Sequence, residues 1–242
     1  MARNIFIEQN QIEENDKIKL TGEEFNHLIN VLRYKENDEI IVCNNSGYKY
    51  LSKIISIAKK EAVLQVLEKQ ESKQEPKFQI DVFQALVKGE KFELLAQKLT
   101  EIGVSSIIPF SSEFCQVKPN TTRLDRLNKI SVEACKQCGR AKSLEISKIL
   151  SFDEMIDSLS CYEKVFFAYE KEVELLKIEP LKYNKIALII GSEGGFSDNE
   201  SQKIASLKNV QTISLGNRIL RAETASIVLS STLMFLSTKE RE

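Results

Sequence analysis

The sequence predicts an α/β protein built on a parallel sheet, with a small β-barrel domain ahead of it. Three observations carry this expectation. From Phe78 onward, strand-like runs (residues 78–86, 105–110, 165–169, 185–190 and 210–215) alternate with helix-like segments, the order that yields βαβ units. Lys185–Ile190 (KIALII) is almost continuously apolar, as a strand buried on both faces must be. Before Glu75 the chain instead shows short strand runs parted by turn signals, with one helix among them.

Those early strands are residues 4–7, 17–20, 39–43, 48–57 and 62–67, with Asn44-Asn45-Ser46-Gly47 marking a turn. The interrupting helix is expected to start at a Thr21/Glu24 capping box and to bury Phe25, Leu28, Ile29 and Leu32. The segment QESKQEP, residues 70–76, is polar and reads as a linker. Two domains are expected, residues 1–73 and 74–242. In the second, residues 118–142 carry seven basic residues against only Asp125 and Glu133. Arg126, Lys129, Lys136 and Arg140 recur at three-, seven- and four-residue steps, which places them on one helix face. Such a stripe is by itself a solvated face. The final helix, residues 222–236, is apolar around most of its circumference and is expected in a core or an interface.

Two motifs stand out. The first, GSEGGFSDNE, follows the apolar strand 185–190. Glycines 191, 194 and 195 permit a sharp turn and close approach to a ligand, and Ser197 with Glu200 forms a capping box that opens a helix. Strand, glycine loop and capped helix together build ligand sites at the carboxyl ends of strands in open α/β sheets. The loop lacks the Gly-Lys-Ser/Thr ending of a P-loop and the spacing of a dinucleotide fingerprint. Glu193 within it would repel a phosphate, so a neutral or cationic ligand suits it better. The second motif, SLGNRILRAETA from Ser214 to Ala225, repeats the build, with Arg218, Arg221, Glu223 and Thr224 at a helix entrance. Charges there must be satisfied or used; on this motif alone, an Arg–Glu pair that merely caps the helix is an equal reading.

Together the motifs resemble the 16S ribosomal RNA uridine-N3 methyltransferase (RsmE) family of the SPOUT superfamily, whose pattern runs Gly-Pro-Glu-Gly-Gly-Phe-Ser and then Leu-Gly-x-Arg-Ile-Leu-Arg-x-Glu-Thr-Ala. Further likeness lies in KGEKFELLAQKLTEIGV from Lys88, EACKQCGR from Glu133 and HLINVLR from His27, so it covers essentially the whole chain. Departures are Ser192 and Asn217, where the family commonly has proline, and Lys136, where glutamate is common.

The resemblance implies a SPOUT-type parallel sheet with a C-terminal trefoil knot, an exception to the unknotted rule, and a PUA-like RNA-binding barrel at the N-terminus. It implies S-adenosyl-L-methionine as cofactor, held by Gly191, Glu193, Gly194, Gly195, Ile213, Leu215, Gly216, Ile219, Leu220, Thr224 and Ala225. The acceptor would be 16S rRNA in the small ribosomal subunit, contacted by Arg33, Lys88, Lys91, Arg126, Lys136 and Arg140. A homodimer would use the 222–236 helix. Uracil N3 must lose a proton to be methylated, and the charge spreads onto O2 and O4. Arg221 is the candidate to stabilise that anion, and Glu223 either orients Arg221 or accepts the proton. N3 lies on the pairing edge, so the uridine must be unpaired or extruded.

Composition narrows the alternatives. No apolar run reaches membrane-spanning length, and the first ten residues lack a signal-peptide core. Five scattered cysteines do not make a disulfide framework, so a reducing cytoplasm is expected. Cys135 and Cys138 sit late in a helix and read as structural. Zinc would need two further ligands, and the only histidine, His27, lies in the other domain, so no metal is expected. The net charge of −1 argues against indiscriminate nucleic-acid binding. A SPOUT enzyme with another acceptor, and an RNA-binding assembly protein without catalysis, are the competing readings. The Leu-Arg-x-Glu-Thr-Ala ending weighs against the first, and the retained Arg221, Glu223 and glycines against the second.

Overall fold

The computed structural model describes residues 4–7, 12, 15–117, 122–175 and 182–238. The chain divides into two compact units, residues 1–75 with 132–143, and residues 76–131 with 144–242.

The first unit contains β1 (Asn4–Phe6), β2 (Lys17–Thr21), α1 (Gly22–Phe25), β3 (Glu39–Cys43), β4 (Tyr48–Ile57) and β5 (Glu61–Glu71). Its five strands are ordered β1-β3-β4-β5-β2, antiparallel except for the parallel β1–β3 pair. Alternation along each strand sends one set of side chains inward. Ile5 of β1 and Ile18 and Leu20 of β2, from opposite edges, join Ile40, Val42, Ile54 and Leu64 in one core, so the sheet curls around it. Phe25 and Leu28 of the helix complete that core.

Three local expectations change here. Thr21 precedes α1 but its side chain makes no capping bond. Glu24 turns instead to Lys136, 2.8 Å away. A π-helical turn over Asn26–Val31 continues α1; Phe25 and Leu28 are buried as expected, but Ile29 and Leu32 are only half-buried. Residues 70 and 71, expected in a linker, are the end of β5.

The second unit contains β6 (Gln79–Ala85), α2 (Gly89–Ile102), β7 (Ser106–Phe110), most of α3 (Thr122–Cys138), β8 (Glu145–Ile146), α4 (Phe152–Ser158), β9 (Lys164–Ala168), β10 (Lys185–Ile190), α5 (Asp198–Ala205), β11 (Val210–Ile213) and α6 (Ala222–Thr238). The sheet order is β11-β9-β10-β6-β7-β8, and every pairing is parallel. Apolar residues cover both faces, as parallel sheets require. Ile80, Val82, Ile186 and Leu188 pack on one side with Phe92, Leu95 and Leu99 of α2 and Leu229 and Leu233 of α6. Phe83, Ala187 and Ile189 pack on the other with Met155 of α4 and Ile204 of α5. Helix α4 opens at a complete Ser151/Glu154 capping box and α5 at the expected Ser197/Glu200 box. Among the described residues no helix is long and apolar enough to cross a membrane.

The sheet also buries one carboxylate. Asp81 of β6 is 2% exposed and accepts from Ser106 Oγ (2.7 Å), Tyr162 Oη (2.8 Å) and Gln79 Nε2 (2.6 Å). Three donors satisfy it, as a buried charge demands. Burial and the Asp81 charge push the Tyr162 phenol upward, so Tyr162 stays a donor.

Candidate functional site

β10 lies between β6 and β9, and β11 lies beyond β9. Chain segments therefore leave the carboxyl ends of β9, β10 and β11 side by side, where open α/β sheets hold ligands. A cavity of about 420 Å³ opens there, lined by residues 168–173 after β9, by Ile190, Gly191, Ser192, Gly195 and Phe196 after β10, and by residues 214–220, Ala222 and Ala225 after β11. Its volume falls in the range of small-molecule sites.

The first glycine loop is a tight, anchored turn. Gly195 N–H donates to the Ser192 carbonyl (3.1 Å) and Gly194 N–H to Ser192 Oγ (3.3 Å). Gly195 has φ +70°, in the left-handed region that favours glycine. A Cβ on Gly191 would come 2.9 Å from the buried Phe196 ring, and that ring is fixed against Phe167 and Phe110. Gln84 at the end of β6 is fully buried and donates through Nε2 to the Gly191 carbonyl (3.2 Å). Glu200 ties the loop's helix down by accepting from Ser197 N–H (3.1 Å) and, across the sheet, from Glu113 N–H (2.9 Å). The second loop turns at Gly216, φ +103°, and Ser214 N–H donates to the Glu174 carbonyl (2.8 Å), joining it to the segment after β9.

Of the residues expected to hold a cofactor, Gly191, Gly195, Leu215, Gly216, Ile219, Leu220 and Ala225 line the cavity. Glu193, Gly194, Ile213 and Thr224 do not. Ile213 is fully buried, and Glu193 is paired with Lys91 instead. Sequence reasoning missed the third wall, residues 168–173, although 165–169 read as a strand whose carboxyl end belongs at such a site. Glu170 in that wall lies 3.0 Å from where a Gly195 Cβ would stand.

Beside the first loop lies a charge cluster that the sequence did not disclose. Lys91 Nζ of α2 is 2.8 Å from Glu193 and 3.3 Å from Glu223 at the start of α6. The hydrogen bond that Lys91 donates to Glu193 leads the upward shift of its ammonium, with desolvation opposing and Glu223 adding to the rise. Desolvation pulls the Glu193 carboxyl upward, but the Lys91 bond and the Lys91 and Lys88 charges outweigh it and hold it low. Neither Arg218 nor Arg221 pairs with Glu223, so the helix-capping reading of that motif does not hold. Arg221 is exposed, and its guanidinium has no ion-pair partner among the described residues.

The basic residues expected to meet RNA divide. Arg33, at φ +60°, and Lys88 are exposed. Arg126 is exposed while paired to Glu93 (2.8 Å). Lys91 belongs to the cluster above, and Lys136 is largely covered, paired with Glu24 and Glu133. Arg140 is not on the helix face at all. α3 ends at Cys138, Gly139 turns at φ +83°, and Arg140 is 4% exposed. Glu75 holds its Nε (3.1 Å) and Nη2 (3.0 Å) and also accepts from the backbone of Ala141 and Lys142. That is a structural node of the first unit, and Arg140 leaves the RNA-contact set. Lys118, the start of the basic segment, lies outside the described residues.

Cys135 is buried and its thiol is pushed up, first by its bond with Cys138 and then by burial. Cys138 is pulled down to about 6, first by that bond and then, against desolvation, by the backbone and charge of Arg140. Its helix-end position alone gave no hint of this. Among the described residues, no group of three or more His, Cys, Asp or Glu side chains is placed to hold a metal ion.

The sheet, the two-loop cavity and the partnered small domain define a class. Residues 73–234 match the family model described as an RNA methyltransferase domain, and residues 20–67 match that of an RNA methyltransferase PUA domain. The chain is 30% identical over 244 residues to ribosomal RNA small subunit methyltransferase E of Bacillus subtilis, covering 95% of each. It is 34% identical over 235 residues to the Buchnera aphidicola protein of the same name, covering 95% of this chain and 91% of that one. A crystal structure of ribosomal RNA small subunit methyltransferase E from Neisseria gonorrhoeae, bound to S-adenosyl methionine, superposes with TM-score 0.85 at 25% identity, covering 98% of each chain. The chain belongs to the ribosomal RNA small subunit methyltransferase E family.

Proposed function

We propose that this protein uses S-adenosyl-L-methionine to methylate N3 of a uridine in 16S rRNA of the small ribosomal subunit. The observation that carries the reading is the cavity between the two glycine loops, with the Lys91–Glu193–Glu223 cluster joined to both loops through Glu193 and Glu223. The residues present suit the cofactor. Ile190, Leu215, Leu220 and Ala225 offer an apolar wall for a purine, and the glycines bring backbone N–H and C=O groups close. Glu170, Glu172, Lys171 and Arg218 stand at the same cavity for a ligand with cationic and zwitterionic parts.

When bound, the cofactor supplies an electrophilic methyl group on a sulfonium. The protein's work is then to position the acceptor and manage its proton. Arg221, exposed and without an ion-pair partner among the described residues, lies on the second loop and stabilises the charge that grows on the uracil oxygens. Glu223, with one oxygen buried toward Lys91, takes the N3 proton or orients Arg221. Arg33, Lys88 and Arg126 remain exposed for phosphate contact. Residues 1–73 serve as the RNA-binding domain and 74–242 as the catalytic one. The trefoil knot, cytoplasmic location and homodimer complete the proposal. For the dimer, Val228 (42% exposed) and Phe235 (58% exposed) lie one heptad apart on α6 and offer it an apolar face.

Titration calorimetry with S-adenosyl-L-methionine in the presence of a chelator tests the cofactor. Binding is expected with the chelator present, and an absence of heat, or loss of binding on chelation, contradicts it. Sedimentation showing a stable monomer at micromolar concentration would overturn the dimer.

A further inference from the structure

Phe114 lies in the loop after β7 and is 45% exposed. An exposed phenylalanine is ordinary where the chain is loose, but this one is fixed. Its neighbour Glu113 donates its N–H to Glu200 (2.9 Å), and its own carbonyl accepts from Ser192 Oγ (3.4 Å). Gly194 is packed against it so closely that a Cβ there would stand 2.8 Å from Phe114 Cβ and 3.0 Å from its carbonyl oxygen. The ring is therefore displayed beside the first glycine loop by the same bonds that anchor that loop. It does not line the cofactor cavity, so the adenine of the cofactor is not its occupant.

The surroundings say what would cover it. The residue next to Gly194 is Glu193, whose carboxylate meets Lys91, and Lys91 meets Glu223. One residue along the loop from the Phe114 contact, the chain thus presents a strong donor, Lys91, and a carboxylate acceptor, Glu223, joined to the loop through Glu193. Uracil presents a π-face together with carbonyl acceptors on either side of an N–H donor. A base drawn out of its stack must find a new stacking partner, and aromatic side chains supply one.

We propose that Phe114 is the stacking platform for the extruded acceptor base, with Lys91 and Glu223 facing the edge of that base. The inference rests on the reading that a uridine in RNA is the methyl acceptor.

The chain contains no tryptophan, so Phe114→Trp introduces a single tryptophan at the platform, excited apart from the tyrosines. Its emission is expected to be quenched by an rRNA fragment carrying the acceptor uridine. An otherwise identical fragment abasic at that position, bound as shown by its own anisotropy, should leave the emission unquenched. Phe114→Ala should slow single-turnover methylation on the order of ten- to a hundredfold, the usual effect of losing one base–aromatic stack, with cofactor affinity unchanged. Phe114→Tyr should retain the rate, whereas Phe114→Leu, which keeps bulk without a π-face, should not. Full activity in Phe114→Ala, rescue by Phe114→Leu, or equal quenching by the abasic fragment would each overturn the platform while leaving the methyltransferase reading intact. Wild-type protein that methylates no uridine would instead defeat that reading, and this one with it.

Discussion

Gly195→Ala separates backbone strain from ligand contact at the first loop. Gly195 stands at φ +70°, where an L-residue costs about 1–2 kcal/mol. The added Cβ would meet Glu170 Oε1 at 3.0 Å and Cδ at 3.6 Å. That carboxylate is the end of a flexible side chain and can swing away, so the clash adds little to the strain. For a chain of this length, 1 kcal/mol corresponds to about 2–4 °C in Tm, giving an expected loss of roughly 2–8 °C. The strain is present with or without ligand and so does not itself weaken binding. Displacing Glu170 from the cavity wall does, so calorimetry should show weaker S-adenosyl-L-methionine binding as well. Gly195→Val should abolish binding, because a β-branched side chain resists positive φ and fills the turn. Differential scanning calorimetry and isothermal titration read the two effects independently. An unchanged Tm would refute the strain argument, and unchanged affinity in both variants would refute the placement of Gly195 against the ligand.

Three further outcomes follow from the geometry. Glu75→Ala leaves the covered Arg140 guanidinium without the carboxylate that holds it, and removing one partner of such a pair should cost about 3 kcal/mol or more in urea unfolding; a loss near zero would contradict it. Cys138, held down to about 6 against an ordinary 9.0, should react with iodoacetamide along a pH profile centred near 6, whereas a profile centred near 9 would show the thiol unperturbed. Its thiolate contributes fully to stability above pH 9, and that contribution is lost as pH falls toward 6, so stability should rise with pH across this window more in wild type than in Cys138→Ser. Arg221→Ala should lower single-turnover methylation on the order of a hundredfold with cofactor affinity nearly unchanged; lost cofactor binding at an unaltered rate would place Arg221 in the cofactor pocket instead.

What the sequence disclosed was local. KIALII, the glycine turns and the Ser197/Glu200 box each depend on neighbours a few residues apart, and each formed as expected. The Thr21/Glu24 box has the same local signature but failed, because Lys136, 112 residues away, takes the Glu24 carboxylate. Helical periodicity carried Arg140 onto the basic face, yet Gly139 at φ +83° was a legible stop signal. Ser151-Phe152-Asp153-Glu154 was likewise a readable start for α4. The third cavity wall and the Lys91 cluster were not legible in the same sense. Each depends on strand order, which brings β9 beside β10 and sets Lys91 against a carboxylate 102 residues away. At Cys138 the leading cause, the hydrogen bond with Cys135 one turn back, was local, but the further pull of Arg140 depends on how the chain folds back after the helix.

The central claim is most directly tested by the identity of the methylated nucleoside. Small ribosomal subunits lacking the modification, and naked 16S rRNA beside them, are incubated with the protein and S-adenosyl-L-methionine, then digested and mapped by mass spectrometry. The account predicts one new 3-methyluridine, formed by wild type and strongly reduced in Arg221→Ala. A ribose 2′-O-methyl group, a methyl on a different base atom, or no transfer by protein that binds the cofactor would contradict it.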